Sequence, residues 1–314
     1  SDRGGTFTRH TISTEADNAE SVYAVDVDGD GDIDVLSASG SDNKIAWYEN
    51  DGSQNFSAHT ISTDAISAKS VFAIDVDSDG DIDVLSASYS HGKIEWYEND
   101  GNENFTPTTI GTSSGASSVF ALDVDSDGDI DVLSAALLDD KIAWYENDGS
   151  ESFTKHSIST AANFATSVYA VDVDADGDID VVSASREDDT IAWYENDGSE
   201  VFAIHEITTT AESATDVFAI DGDGDGDIDI LSASSDEITW YQNDGSESFS
   251  IHSVTSATGG YTSVFAADMN GDGELDVVSS SGSSDEIAWH ENDGSGPHAR
   301  SVITATAKGP QSID

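Results

Sequence analysis

Short runs in which apolar and polar residues alternate recur along this chain, four to a unit, and the unit itself recurs. In the second unit the runs are Ser70–Asp75, Ile82–Ser88, Lys93–Asn99 and Asn104–Ile110. Each is rich in Val, Ile, Phe, Trp or Tyr and is bounded by Gly, Asp, Asn and Ser, which predicts strands. No segment sustains a helical period. Between the third and fourth runs stands Asn99-Asp100-Gly101, a tight-turn sequence because Gly accepts positive φ.

Two rulers measure the repeat. The tryptophans Trp47, Trp96, Trp144, Trp193, Trp240 and Trp289 are spaced by 49, 48, 49, 47 and 49 residues. The first aspartates of an acidic loop, Asp26, Asp75, Asp123, Asp172, Asp221 and Asp268, are spaced by 49, 48, 49, 49 and 47. Four antiparallel strands in such a unit describe a β-propeller blade. A lone blade exposes two apolar faces, and stacking around a ring buries both. The expected fold is therefore all-β: one propeller domain over residues 1–314, with repeats near 21–62, 70–110, 118–158, 167–207, 216–254 and 263–304.

The ends are out of phase with the blades. Phe7-Thr8-Arg9-His10-Thr11-Ile12 matches a fourth strand, so a spare N-terminal strand is expected near 7–14. Gln311-Ser312-Ile313-Asp314 matches the opening of a seventh first strand. Three arrangements fit. Further chain completes a seventh blade that pairs with the N-terminal strand, a six-bladed ring carries frayed ends, or the spare strand adds to a neighbouring molecule.

The tryptophans, one in a strand of every unit, are expected in the core. Their neighbours Tyr48, Tyr97, Tyr145, Tyr194, Tyr241 and His290 fall on the opposite face of the pleat, where partial exposure is expected.

Composition narrows the chemistry. The 37% of hydrophobic residues can build a core. No run of 18 apolar residues exists, so no membrane insertion is expected. The first residues contain no apolar leader, which fits either a processed or a leaderless chain. The absence of Cys excludes disulfides and thiolate metal sites. Against 10 Lys and Arg stand 64 Asp and Glu, for a formal charge of −54. Self-repulsion on this scale opposes a compact fold unless cations offset it. Nucleic acid and anionic lipid need basic patches that this sequence lacks.

Much of the acid is organised. Each repeat holds a nine-residue loop, D-x-[DN]-x-D-G-x-[IL]-D. Its candidate metal-binding residues are Asp26, Asp28, Asp30, Asp32 and Asp34; Asp75, Asp77, Asp79, Asp81 and Asp83; and Asp123, Asp125, Asp127, Asp129 and Asp131. The later copies supply Asp172, Asp174, Asp176, Asp178 and Asp180; Asp221, Asp223, Asp225, Asp227 and Asp229; and Asp268, Asn270, Asp272, Glu274 and Asp276. Alternate residues of a curled loop can aim oxygens at one centre, and Ca²⁺ takes six to eight of them. Positions one, three, five and nine offer side chains, and position seven its carbonyl. Position six is Gly in every copy, as a sharp turn requires. Oxygen-only ligation favours Ca²⁺ over Zn²⁺ or Cu²⁺, and Mg²⁺ demands stricter geometry. Position twelve is Ser37 in the first loop and Ser86 in the second, not the bidentate Glu of an EF-hand. About six Ca²⁺ are expected, one per complete repeat. They would add +12 to the −54 and leave −42, so the surface stays acidic.

The segments S-V-[FY]-A-x-D-x-D-x-D-G-D-I-D-V-x-S-A-S and I-A-W-Y-E-N-D-G resemble the FG-GAP/VCBS repeat family, related to the calcium-binding propeller blades of integrin α-subunits. The resemblance covers essentially the whole chain. It implies calcium between first and second strands, an extracellular or cell-surface location, and roles in adhesion or carbohydrate binding. Some members of the family are propeller lectins or scaffolds of polysaccharide lyases. The family often has seven blades, whereas only six whole ones are encoded here.

Other residues carry less. His10, His59, His156, His205 and His252 recur once per repeat on the fourth strand, where Thr108 and Arg300 replace them, so packing or hydrogen bonding explains them better than chemistry. His91 and His290 break the repeat, and Arg186 is a rare cation suited to a local salt bridge or a carboxylated sugar. No G-x-S-x-G elbow, P-loop or H-E-x-x-H occurs, so no enzyme activity is expected. The function expected is a calcium-stabilised extracellular binding or adhesion module for glycans or a surface or matrix protein. Its ligand would meet segments such as Thr14–Glu20, Thr63–Lys69 and Gly40–Asn43, which vary while the metal loops do not. Two alternatives stand beside it: a self-assembling filament or matrix protein joined through its terminal strands, and the scaffold of a polysaccharide lyase or hydrolase.

Overall fold

The computed structural model of the chain describes residues 7–255, 259–294 and 298–313. They form a six-bladed β-propeller of four-stranded antiparallel sheets, with no helix among the described residues. Blade one consists of β1 (Ala19–Val25), β2 (Asp34–Ser39), β3 (Lys44–Asn50) and β4 (Phe56–Ser62), paired in sequence order. Blades two to six repeat this order over 68–112, 116–159, 165–208, 216–255 and 261–304.

Register explains which residues share a face. Trp47 pairs across the sheet with Leu36 on one side and His59 on the other. Leu36, Ile45 and Trp47 pack with Val71, Ala73, Val84 and Tyr97 of blade two, and this cluster recurs between successive blades. One face of each blade thus presents Trp and the other Tyr, with His290 in place of the Tyr in blade six. The expectation that Tyr48, Tyr97, Tyr145, Tyr194, Tyr241 and His290 would be partly exposed is wrong, because all six are buried. The pleat does turn them away from the Trp face, but at Tyr97, Tyr145, Tyr194 and Tyr241 the preceding blade covers that face as well, while Tyr48 is buried beside a cleft that residues 9–13 also line. Toward the axis, Tyr23, Phe72, Phe120, Tyr169, Phe218 and Phe265 form a chain of ring contacts with centroids 4.6 to 5.3 Å apart.

The ends differ from a simple strand reading. Residues 7–12 lie beside blade six but join no sheet ladder, and neither does 309–313. Asp314 lies outside the described residues, as do residues 1–6.

Chain direction sorts the loops onto two rims. The acidic loops and the Asn-Asp-Gly turns share one rim. The loops between second and third strands share the other rim with the blade linkers, to which they are hydrogen-bonded: Gly40 N–H donates to Asn18 O at 2.9 Å and Leu137 N–H to Gly115 O at 2.9 Å.

Candidate metal centre

Each acidic loop is shaped by two residues in left-handed conformation. Position six is Gly with φ between 94° and 100°, as at Gly31 and Gly80, and nothing lies within 4 Å of where its Cβ would stand. The backbone angle, not space, therefore demands Gly. Position four is also left-handed, at Gly29, Ser78, Ser126, Ala175, Gly224 and Gly271. The curl lets early side chains cap later amides. In the first loop Asp30 N–H donates to Asp28 Oδ1 at 3.1 Å, and Gly31 N–H to Asp26 Oδ2 at 2.9 Å.

Position nine is a buried clasp. Asp83 is fully buried. Its Oδ2 accepts from Val76 N–H at 3.1 Å and its Oδ1 from Asn99 N–H at 2.7 Å. Asn99 in turn donates from Nδ2 to Ile82 O at 3.1 Å. The same clasp is made by Asp34 with Asn50, Asp131 with Asn147, Asp180 with Asn196, Asp229 with Asn243 and Asp276 with Asn292. It ties the acidic loop to the turn between third and fourth strands. Position seven reaches the same turn, since a Cβ on Gly52 or Gly101 would collide with the carboxylate of Asp32 or Asp81.

Carboxylate oxygens converge in five loops. One oxygen each from Asp26, Asp28 and Asp34 lies within 4.8 Å of the others, as do oxygens of Asp75, Asp77 and Asp83, and of Asp172, Asp174 and Asp180. In blades three and five the group is formed by positions one, three and five: Asp123, Asp125 and Asp127, and Asp221, Asp223 and Asp225. In blade six, where Asn270 holds position three, no three carboxylates meet this way among the described residues.

Burial and mutual repulsion mark the cost of this charge. The carboxyls of Asp83 and Asp131 are pushed up to about 7, and those of Asp180 and Asp229 to about 6, chiefly by burial. Asp28, Asp77, Asp125 and Asp174 are also raised, by burial first and then by neighbouring aspartates. Oδ1 of Asp26 and of Asp172 is buried without a hydrogen-bond partner. Clustered hard oxygens, some unpartnered and all short of counter-charge, can hold a divalent cation.

The third-strand glutamates lie beside the loops and escaped the sequence reading. Glu98 is raised by burial and then by Glu151, Asp77 and Asp79. Three of these glutamates meet the fourth-strand histidines: His59 Nε2 lies 2.9 Å from Glu49 Oε2, and His156 and His205 lie 2.7 Å from Glu146 and Glu195. Each of these histidines stacks on its Trp, with centroids 4.6 to 4.7 Å apart. In blade five Gln242 replaces the Glu, and its amide meets Asp223 instead. The Tyr-Glu-Asn repeat held this signal, but only the cross-strand register shows that Glu and His meet.

The other candidates scatter. His91 and Arg186 are exposed on the rim opposite the acidic loops. His290 is buried and takes the Tyr position, with Nε2 2.8 Å from Ser279 Oγ. His10 lines a cleft beside blade one.

A model of FG-GAP-like repeats matches five overlapping stretches of the chain, residues 26–86, 75–134, 123–183, 172–232 and 221–279. No curated protein sequence matches it. Among solved structures, the chain is similar to an Agrocybe aegerita lectin that recognises non-reducing terminal N-acetylglucosamine. The identity is 17% and the TM-score 0.64, over 92% of this chain and 83% of that one. It is also similar to virginiamycin B lyase from Staphylococcus aureus, at 11% identity and a TM-score of 0.64, over 92% and 86%. A third is the six-bladed, fucose-recognising lectin of Aleuria aurantia, at 12% identity and a TM-score of 0.56, over 93% and 97%. At these identities the likeness is one of fold, and the fold is shared by binding proteins and enzymes alike.

Proposed function

Because the chain belongs to the FG-GAP-like repeat family, we propose that its acidic loops hold calcium and that the stiffened ring is an extracellular binding module for glycans. The observation that carries the first part is the convergence of carboxylate oxygens within 4.8 Å in loop after loop. Positions one, three, five and nine would supply side chains to the ion, with position seven offering its carbonyl. Bound calcium supplies the positive charge that these buried aspartates lack.

The second part rests on a division of labour between the rims. The acidic rim repeats its residues and is locked by the aspartate–asparagine clasps. The opposite rim changes residue from blade to blade: Gly40–Asn43, then Tyr89–Gly92, Leu137–Asp140 and Arg186–Asp189. Leu138 is exposed there, beside a linker residue, Gly115, that a Cβ would crowd. A rigid ring with variable loops on one rim is the usual arrangement of a binding surface. Two lectins among the similar folds support glycans as the ligand class.

A glycan array read in calcium and again in EDTA tests the proposal. Binding that requires calcium and is lost on replacing Leu138 and Arg186 with Ser is expected. Silence across glycans in calcium, with calcium uptake intact, would overturn the ligand class alone.

A further inference from the structure

The first strands of the six blades surround the propeller axis, and their side chains line a channel of about 430 Å³. The strand pattern Ser-Val-[FY] decides what faces it. Residues two apart share a face, so the Ser and the aromatic residue point the same way, while the Val between them packs against the preceding blade, as Val71 and Val119 do. The six aromatic side chains, from Tyr23 round to Phe265, are half-buried and form a collar in which neighbouring rings are tilted by 40° to 62°. A second ring, nearer the variable rim, is built by Ser21, Ser70, Ser118, Ser167, Asp216 and Ser263.

Asp216 breaks this ring of hydroxyls, and holding the blades together does not require the break. Val71 and Val119 N–H donate to Ser21 and Ser70 Oγ at 3.3 and 3.2 Å, which ties each first strand to the next. Val264 N–H donates to Asp216 Oδ2 at 3.0 Å in the same way. Serine would serve that contact equally well. What the carboxylate adds is charge. Ser167 Oγ and Val217 N–H both donate to its Oδ1, at 2.8 and 3.0 Å. Burial raises the carboxyl above its ordinary 3.8, against these donors, which favour the ionised form. No Lys, Arg or His among the described residues forms an ion pair with it. It is also the one charged residue among the described residues that line the channel. Asp216 therefore has its hydrogen bonds made and no protein counter-charge.

We propose that the axial channel binds a small quaternary ammonium ion, its charge beside Asp216 and its methyl groups against the aromatic collar. The ligand class follows from what the wall offers. A metal ion needs about six or more oxygens or its own water shell, but oxygens of Asp216, Ser21 and Ser70 already accept backbone N–H groups. A primary ammonium brings three N–H donors that need acceptors. A quaternary ammonium has no N–H to satisfy and is attracted by aromatic faces as well as by the carboxylate. A neutral ligand would leave the charge of Asp216 uncompensated. The channel volume falls within the roughly 300–1,000 Å³ of small-molecule sites. The formal charge of −54 enriches cations around the molecule.

The test is isothermal titration of the full chain with choline, in physiological salt and excess calcium. Neohexyl alcohol, in which carbon replaces the charged nitrogen, is titrated beside it. Saturable one-to-one binding of choline is expected, with the alcohol weaker by about tenfold or more. Asp216→Ser restores the repeat's own residue, so the contact with Val264 survives, and it should weaken choline by about tenfold or more. Asp216→Asn keeps the size of the side chain without its charge and should do the same. Phe218→Leu keeps the wall apolar but removes one ring of the collar, and should weaken choline severalfold. No binding, equal binding of the alcohol, or indifference to Phe218→Leu overturns the proposal. So does binding that both Asp216 variants leave intact, which would mark general attraction to an acidic surface that has lost one of its 64 Asp and Glu.

Discussion

Replacing Asp83 with Asn should change sign with calcium. Asp83 is fully buried, accepts backbone N–H groups on both oxygens, and has its carboxyl pushed up to about 7 by burial. Above that pH and without a cation, raising a carboxyl from 3.8 to about 7 costs roughly 4 kcal/mol. Asn removes that cost. It also turns an amide NH₂ toward Val76 or Asn99 N–H, which loses roughly 1.5–3 kcal/mol for a hydrogen bond to a charged acceptor. In EDTA at about pH 8 the variant should therefore match the parent or exceed it by about 1–2 kcal/mol. With calcium the ordering reverses, because the loop loses a ligand. A site saturated at a hundredfold over its Kd contributes about 2.7 kcal/mol, and most of this disappears. Calorimetric melts of both proteins in both media decide the matter. Equal destabilisation with and without calcium would refute the reasoning, since Asp83 would then act through its hydrogen bonds alone.

Further expectations follow from the same geometry. Asp83, Asp131, Asp180 and Asp229 have folded pKa values above 3.8, so the metal-free fold binds extra protons between about pH 4 and 7 and loses stability as pH rises through that window. The Tm drop caused by EDTA should be small near about pH 5 and largest above about pH 7; a pH-independent drop would contradict this. His290 is the opposite case. Burial, then Arg300 and His298, lower it from 6.5 to about 4, so its contribution is complete above about 6.5 and falls away by up to about 3 kcal/mol toward pH 4. His290→Tyr, matching the other blades, should flatten the acid limb of a stability–pH curve measured by denaturant melts. Gly80→Ala places a Cβ at φ 100° and should cost more than about 1 kcal/mol although nothing blocks it. Calcium titration should show one weakened site beside unchanged others.

The repeat, the four-strand blade and the acidic loops were legible because Trp and Asp keep one period and Gly marks each bend. Periodicity assigns a residue to a face, but it does not tell whether that face is covered. Tyr97 and its counterparts were misread for that reason. The pairing of Glu49 with His59 depends on the register between third and fourth strands, which shifts between Ile45 and Ala46, and no local pattern announces that shift. The ends were recognised as fourth- and first-strand sequences, yet their docking on blade six, through Phe7 on Trp289 and Thr262 on Pro310, is a tertiary fact. The aspartate–asparagine clasp was hidden too, because Asp83 and Asn99 stand in different turns of the chain.

Anomalous-scattering maps of crystals grown in saturating calcium test the central claim most directly. Divalent ions seated among Asp26, Asp28, Asp30 and Asp34, and at the matching positions of the other loops, are the predicted result. Water alone in those bends would contradict it.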